Sequence, residues 1–530
     1  MIRIFFLCLA LAGSILLHAQ RKIDVLHYTF KIGLTDSSDN ITGEAFIRFR
    51  MLEATPNLLI DLAAVNPATS KGMKAGKVLM KGLPLTYTQN EQQLNISLGA
   101  IVSVGDTAEV QIQYSGVPSD GLIISKNKYG HRTFFADNWP NRGHNWLPCV
   151  DDPGDKASVD FIITAPQHYQ VVSNGLLIEE TSLPADKKLT HWREEVPINT
   201  KVMVIGVAEF AVQRSGTVAG CIPVYSWVYP EDRDKGFYDY EQANEILPFF
   251  IREVGPYGYR KLANVQSKTI FGGLENANTI FYSESSVRGN RRSEGLLAHE
   301  IAHQWFGNMA TEKSFAHLWL SEGFATYMTI YYMESKHGRD TAVKMLEEDR
   351  SQVAAFARKS NRTVVDEDPD FMQLLNTNSY QKGGWVLHML RQQLGHEVFM
   401  KAIKKYYAEY AGSNADTRDL QRVFEQVSGK SLKTFFDQWL YQPGIPRLDI
   451  KWNYAPRTKK ITVTVQQLQA QAFSFPLKIA IQCSGGKTQN QVLQIKNSTE
   501  TFSFSLTGTA TSVLADPDTE LLFEATVTGK

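Results

Sequence analysis

Cysteine is scarce in this chain, with four among 530 residues. Cys8 lies in the first apolar segment, which leaves Cys149, Cys221 and Cys483 as an odd set. These three allow at most one disulfide and lack metal-ligand spacing, so a disulfide scaffold and a thiolate zinc site are both excluded. They are expected to be small buried apolar side chains. An excess of either charge is also missing: Lys+Arg and Asp+Glu each number 55, for a formal net charge of zero. No long run of one sign occurs, so there is no electrostatic footprint for nucleic acid or for an acidic membrane surface. No G-x-S-x-G elbow, glycine-rich phosphate loop or internal repeat is present, which removes the sequence support for serine-hydrolase and nucleotide chemistry.

Long apolar runs are confined to the first segment, MIRIFFLCLALAGSILLHAQ. Arg3 precedes the apolar stretch from Ile4 to Leu17, and the small Ala19 follows. This stretch is shorter than the ~20 residues of a spanning helix. It reads as an export signal covering 1–19, which implies a periplasmic or extracellular protein with no stable membrane span once the signal is removed.

A hydrophobic content of 43% and a charged content of 21% mark a globular chain. At roughly 150 residues per domain, its length predicts about three domains. From 20 to 212, HYTFKIGL, GEAFIRFRML, AEVQIQYSG and SVDFIITA alternate with period two, as half-buried strands of an all-β, sandwich-like domain do. From 213 to 443 helical spacing dominates, with one strand-like stretch, NVQSKTIFGG, read ahead of the first helices. From 444 to 530, after Pro443-Gly444-Ile445-Pro446, alternation returns in LDIKWNY, KITVTVQQ and FPLKIAIQC, enough for a small β-sandwich. The expected fold is therefore multidomain α+β, with a mainly helical central domain between two β-domains.

The central domain carries His299-Glu300-Ile301-Ala302-His303. Histidines at i and i+4 stand on one helix face, so both imidazoles can reach one ion, and Glu300 projects beside them as a base. WLSEGFATYM follows and places Glu322 nineteen residues beyond His303, where the next helix can return a third ligand. Two imidazoles and a carboxylate leave the fourth tetrahedral position open, as in a catalytic rather than a structural zinc site. One Zn2+ per chain is the expected cofactor, although the ligand types alone do not separate zinc from manganese or cobalt. His317 and His388 read as surface or core histidines.

HEIAHQWFGNMA, WLSEGFATYM and the upstream FGGLENANTIFY resemble the aminopeptidase N and leukotriene hydrolase family of zinc metallopeptidases. The likeness extends through LPCVDDPGDKAS (Leu147 to Ser158), VGPYGYRK (Val254 to Lys261) and SYQKGGWVLHML (Ser379 to Leu390). It implies the family's domain order: an N-terminal β-domain, a thermolysin-like catalytic domain, then a β-sandwich. Relative to longer members it implies a short form without the large C-terminal helical domain.

Gly272, Gly273, Leu274, Glu275 and Asn276 match the family's exopeptidase motif, G-x-M-E-N, with Leu274 in place of Met. By that resemblance Glu275 binds a substrate's free α-amine, and the glycine-rich backbone pairs with the peptide. Tyr380 matches the family's catalytic tyrosine, a donor to the oxyanion. The implied activity removes N-terminal residues from peptides through a zinc-bound water activated by Glu300. The alternatives are an endopeptidase or epoxide hydrolase on the same site, or a silent binding protein of the same fold. Two places depart from the family pattern. Trp139, with Asp137 and Asn138 just before it, stands where many members carry a second amine-gripping residue, and Asn278 and Thr279 replace small residues after the exopeptidase motif. The sequence assigns neither an oligomeric state nor a preferred first residue.

Overall fold

The computed structural model describes residues 22–368 and 370–529. The export-signal reading of 1–19 lies outside the described residues. No described helix is long and apolar enough to cross a membrane.

Residues 22–208 form three sheets. The largest has eight strands, in which Ile23–Gly33 pairs antiparallel with Ile41–Met51 and parallel with Ala157–Pro166. The alternation read from the sequence has its cause here. Tyr28, Phe30 and Ile32 bury one face together with Ala45, Ile47 and Phe49, while Lys31 and Arg50 face solvent. Register places Phe30 opposite both Ala45 and Phe161, and the Phe30 and Phe161 rings stack at 5.5 Å. A four-stranded sheet contains Arg132–Ala136. The continuous burial of Phe134, Phe135 and Ala136 runs straight into Asp137, Asn138 and Trp139, carrying this segment to the neighbouring domain.

The central region is built on a five-stranded sheet ordered Ala211–Val218, Ile222–Val228, Leu262–Ser267, Thr279–Ser283, Gly273–Leu274. The boundary read at 212 falls inside its first strand. The sequence had offered a single strand ahead of the helices. Instead Leu262–Ser267 follows the helices Arg233–Tyr240 and Ala243–Glu253, and it is one of five strands. Its burial on both faces erases the period-two signal, as in parallel strands covered on each side. Nine α-helices among the described residues lie between 233 and 440.

Two sheets follow. One is built around Arg447–Ala455 and Lys460–Gln467, the other around Phe475–Cys483. Ile450, Val463 and Val465 from the first and Leu477, Ile479 and Ile481 from the second are all buried, which is the expected C-terminal β-sandwich. It is fastened to the helical region by Arg350 donating to the Leu521 carbonyl (2.8 Å) and by the buried His388 facing the Thr519 carbonyl (2.9 Å).

The cysteine expectation holds for two of three residues. Cys149 and Cys483 are buried, whereas Cys221 is exposed, and all three thiols are free. Cys221 follows Ala219 and Gly220, both at positive φ, so it sits at a hairpin tip where no core is available.

Candidate active site

The helix Glu294–Ala302 carries His299 and Glu300, and His303 closes its C-terminal end. The helix Trp319–His337 begins three residues before Glu322. The two ring nitrogens His299 Nε2 and His303 Nε2 stand 3.1 Å apart, and Glu322 Oε2 lies 3.4 and 3.3 Å from them. These three residues are the group among the described residues with the geometry to hold a metal ion. The other nitrogen of His303, Nδ1, faces the Phe306 carbonyl and the Ser321 hydroxyl, each at 3.1 Å. That contact fixes the ring so that Nε2 points its lone pair into the site. Two imidazole nitrogens and a carboxylate oxygen converging on one point are a donor set suited to zinc.

Electrostatics agree with a site built for a cation. Burial opposes charge on Glu322, but the His303 and His299 rings overcome it and hold the carboxyl well below the ordinary range. Burial likewise opposes charge on His303, and Glu322 outweighs it, pushing the ring up to about 10. Burial pulls His299 down. For Glu300 burial outweighs the pull of the His303 ring, the Glu275 and Glu322 carboxylates add to it, and the carboxyl is pushed well above the usual carboxylate range.

One cleft of about 410 Å³ holds all of these groups together with Gly272, Gly273, Leu274, Glu275 and Tyr380. Of the catalytic, substrate-binding and metal-ligating candidates read from the sequence, only Asn276 is outside its lining. Asn276 is buried, with both side-chain amide atoms unpartnered. Gly273–Leu274 is the edge strand of the five-stranded sheet, paired with Tyr282 and Phe281 on its inner side only. Gly273 runs directly beside Glu300, where a Cβ would collide with the carboxylate. Glu275 is buried and its Oε1 has no partner, so this acceptor lacks a donor within the protein. Burial raises its pKa.

Tyr380 sits in a π-helical turn, Asn378–Lys382, ahead of the helix Gly383–Leu394. Its ring lies nearly parallel to that of His299 with centroids 6.1 Å apart, and burial drives its hydroxyl pKa well up. Gly323 and Gly383 explain how this turn reaches the metal ligands. A Cβ on Gly383 would stand 3.0 Å from Gly323 Cα, so the two backbones approach only because both residues lack a side chain.

The structure also recruits residues that the sequence reading left out. Gln304 Nε2 and Asn308 Nδ2 both donate to the Glu275 carbonyl, at 3.0 and 2.6 Å, and the Asn278 amide donates to Gln304 Oε1 at 2.8 Å. Their signal was position alone: Gln304 directly follows the HExxH segment and Asn308 lies five residues beyond it. Asn278, one of the departures, adopts φ 52° and bonds Glu194 and Lys261, linking the exopeptidase loop to the N-terminal domain. Asp137 has its hydrogen-bonding capacity taken up within the protein. Its carboxylate is buried and held by Arg142, the Thr269 hydroxyl and the Ile270 amide, while Trp139 is the residue of that segment that reaches the cleft. His317 is half-buried against the Thr417 hydroxyl, and His388 lies in the core.

Two helix-borne histidines, a glutamate from the next helix and an adjacent free carboxylate form the donor arrangement of the HExxH metallopeptidases. Comparison with known proteins carries this further. The peptidase M1 N-terminal domain matches residues 25–202, and the peptidase family M1 domain matches residues 238–439. The chain belongs to peptidase family M1, the aminopeptidase N family. Glutamyl aminopeptidase of Bitis rhinoceros is 26% identical over 68% of this chain and 40% of its own length. Tricorn protease-interacting factor F2 of Thermoplasma acidophilum is 27% identical over 71% and 49%, and aminopeptidase M1 of Arabidopsis thaliana is 26% identical over 76% and 47%. The chain thus spans half or less of the length of these relatives.

Proposed function

We propose that the chain is a zinc aminopeptidase that removes residues from the free N-termini of peptides. The observation that carries this reading is the single cleft joining the His299–His303–Glu322 donor set to Glu300 and to an unpartnered, buried Glu275. Zinc held by the three donors would act as a Lewis acid on the scissile carbonyl and make water a competent nucleophile near neutral pH.

The protein's own groups supply the rest. The outer edge of Gly273–Leu274 is free to receive the peptide backbone as an added strand. Glu275 accepts the substrate ammonium, giving its buried carboxylate the donor it lacks and limiting entry to one residue. Glu300, whose carboxyl is pushed up by burial, takes a proton from the attacking water and passes it to the leaving amine. The Tyr380 hydroxyl, kept protonated by burial, donates to the developing oxyanion.

The test is hydrolysis of free-amine aminoacyl amides and their N-acetylated forms, with and without chelator. Hydrolysis confined to free amines and lost with chelator is expected. Equal cleavage of the acetylated forms would overturn the reading. We also infer export through residues 1–19, which predicts a mature N-terminus at Gln20. An intact Met1 on the protein recovered outside the cytoplasm would contradict it.

A further inference from the structure

The wall of the cleft beyond the reacting groups is uncharged. Trp139 enters from the N-terminal domain, with its ring edge-on to Phe271 (6.0 Å) and to Phe315 (6.0 Å). Phe271 immediately precedes the Gly272–Gly273 edge. Leu296 stands on the His299 and Glu300 face of its helix, three and four residues before them, and Leu375, five residues before Tyr380, also lines the cleft. Three carboxylates line this space, and the reading above occupies each: Glu322 with the metal, Glu300 with water, Glu275 with the amine.

The nearby charges outside this wall are committed elsewhere. Arg142 lies over the Phe271 ring at 5.8 Å, but its guanidinium is engaged by Asp120, Asp137 and the Trp139 carbonyl. Lys201 is buried against Glu312. Lys382, two residues past Tyr380, donates instead to the Gly444 carbonyl at 2.9 Å. The Asp137 carboxylate is occupied by Arg142, Thr269 and Ile270. An acidic first side chain would therefore find no cation, and a basic one no spare carboxylate. Burying either without a partner costs far more than burying an apolar group gains.

We propose that the aromatic and aliphatic wall formed by Trp139, Phe271, Leu296 and Leu375 reads the first side chain of the substrate and selects uncharged, apolar residues such as Leu, Met and Phe. This rests on the aminopeptidase reading above and adds the substrate class. Trp139, at the position where the sequence departs from its family, becomes the specificity-determining residue of the N-terminal domain.

The experiment measures kcat/KM of the zinc-loaded full chain on aminoacyl-coumarin amides of Leu, Met, Phe, Glu, Asp, Lys and Arg. Apolar residues are expected to exceed acidic ones by about 100-fold and basic ones by at least about 10-fold. Trp139→Ala should lower kcat/KM for Phe and Leu by about 10-fold, as loss of a large apolar contact does. Leu375 is half-buried and packs against the core, so Leu375→Glu is first checked for a Tm close to that of the parent chain. It should raise the Lys and Arg substrates relative to Leu by at least about 10-fold, by giving the cation a partner. Calorimetric titration of leucine amide into Glu300→Gln protein should show binding that glutamate α-amide lacks. Charged first residues equal to or better than Leu, or an unchanged profile in Leu375→Glu, would overturn the proposal while leaving the aminopeptidase reading intact. Equal cleavage of N-acetylated substrates would instead overturn that underlying reading.

Discussion

Asn308 donates to the main-chain carbonyl of Glu275 at 2.6 Å, so the segment that follows the second histidine also sets the position of the glutamate proposed to bind the substrate amine. Gln304 adds a second bond to the same carbonyl at 3.0 Å. The His299–His303–Glu322 group and the Gly272–Asn276 loop are thereby held at a fixed separation. Truncation in Asn308→Ala removes the shorter bond at a buried site, a loss of about 1–3 kcal/mol. The expected outcome is a fall of about 10-fold or more in kcat/KM on free-amine substrates. Zinc content should remain unchanged, as checked by metal analysis of the purified variant.

Glu300→Gln keeps the size and burial of the side chain and removes its ability to carry a proton. The expected loss in kcat is about 100- to 10,000-fold, the range for a general acid–base group. Equilibrium dialysis should show zinc binding intact, because Glu300 is not one of the three converging donors.

The contact of Gly323 with Gly383 predicts a steric effect distinct from chemistry. In Gly383→Ala the new methyl would meet Gly323 Cα at 3.0 Å, against backbone that has no rotamer with which to move aside. A destabilisation of about 1–3 kcal/mol is expected from such overpacking. Thermal unfolding would register it as a lowered Tm. Activity should fall as well, since this contact seats the turn carrying Tyr380.

His388 makes stability depend on pH. It is buried, its Nε2 faces the Thr519 carbonyl at 2.9 Å, and burial pulls its pKa down to about 4. The unfolded chain holds the proton more tightly, near 6.5. The stabilisation is therefore fully present above about pH 6.5 and is lost as pH falls toward 4, with a span of roughly 3 kcal/mol at most. Melting temperatures between pH 7.5 and 4.5 should decline less steeply in His388→Gln than in the parent chain. Equal slopes would remove His388 from this role.

What the sequence made legible follows from how local each signal is. His299, Glu300 and His303 share one helical turn, so spacing alone placed them on one face. The outer β-domains announced themselves because strands such as Ile41–Met51 bury one face and expose the other. The central sheet did not, because Leu262–Ser267 is buried throughout. Glu275 and Tyr380 were found through family resemblance and not through spacing. Their approach to the metal ligands depends on an edge strand and on a glycine contact between distant helices. Trp139 was visible only as a departure from the family pattern. Its role in the cleft emerges when Asp137 is seen to be engaged by Arg142, Thr269 and Ile270. The exposed Cys221 was misread because composition cannot place a residue at a hairpin tip.

The proposed activity has one metal-dependent cleft acting on the free N-terminus of a peptide. Its most direct test is mass spectrometry of a single unstructured peptide and its N-acetylated copy after incubation with the full chain. The expected result is a ladder of products shortened one residue at a time from the free N-terminus, an untouched acetylated copy, and no ladder in chelator until zinc is restored. Internal fragments, or equal digestion of the acetylated copy, would contradict it.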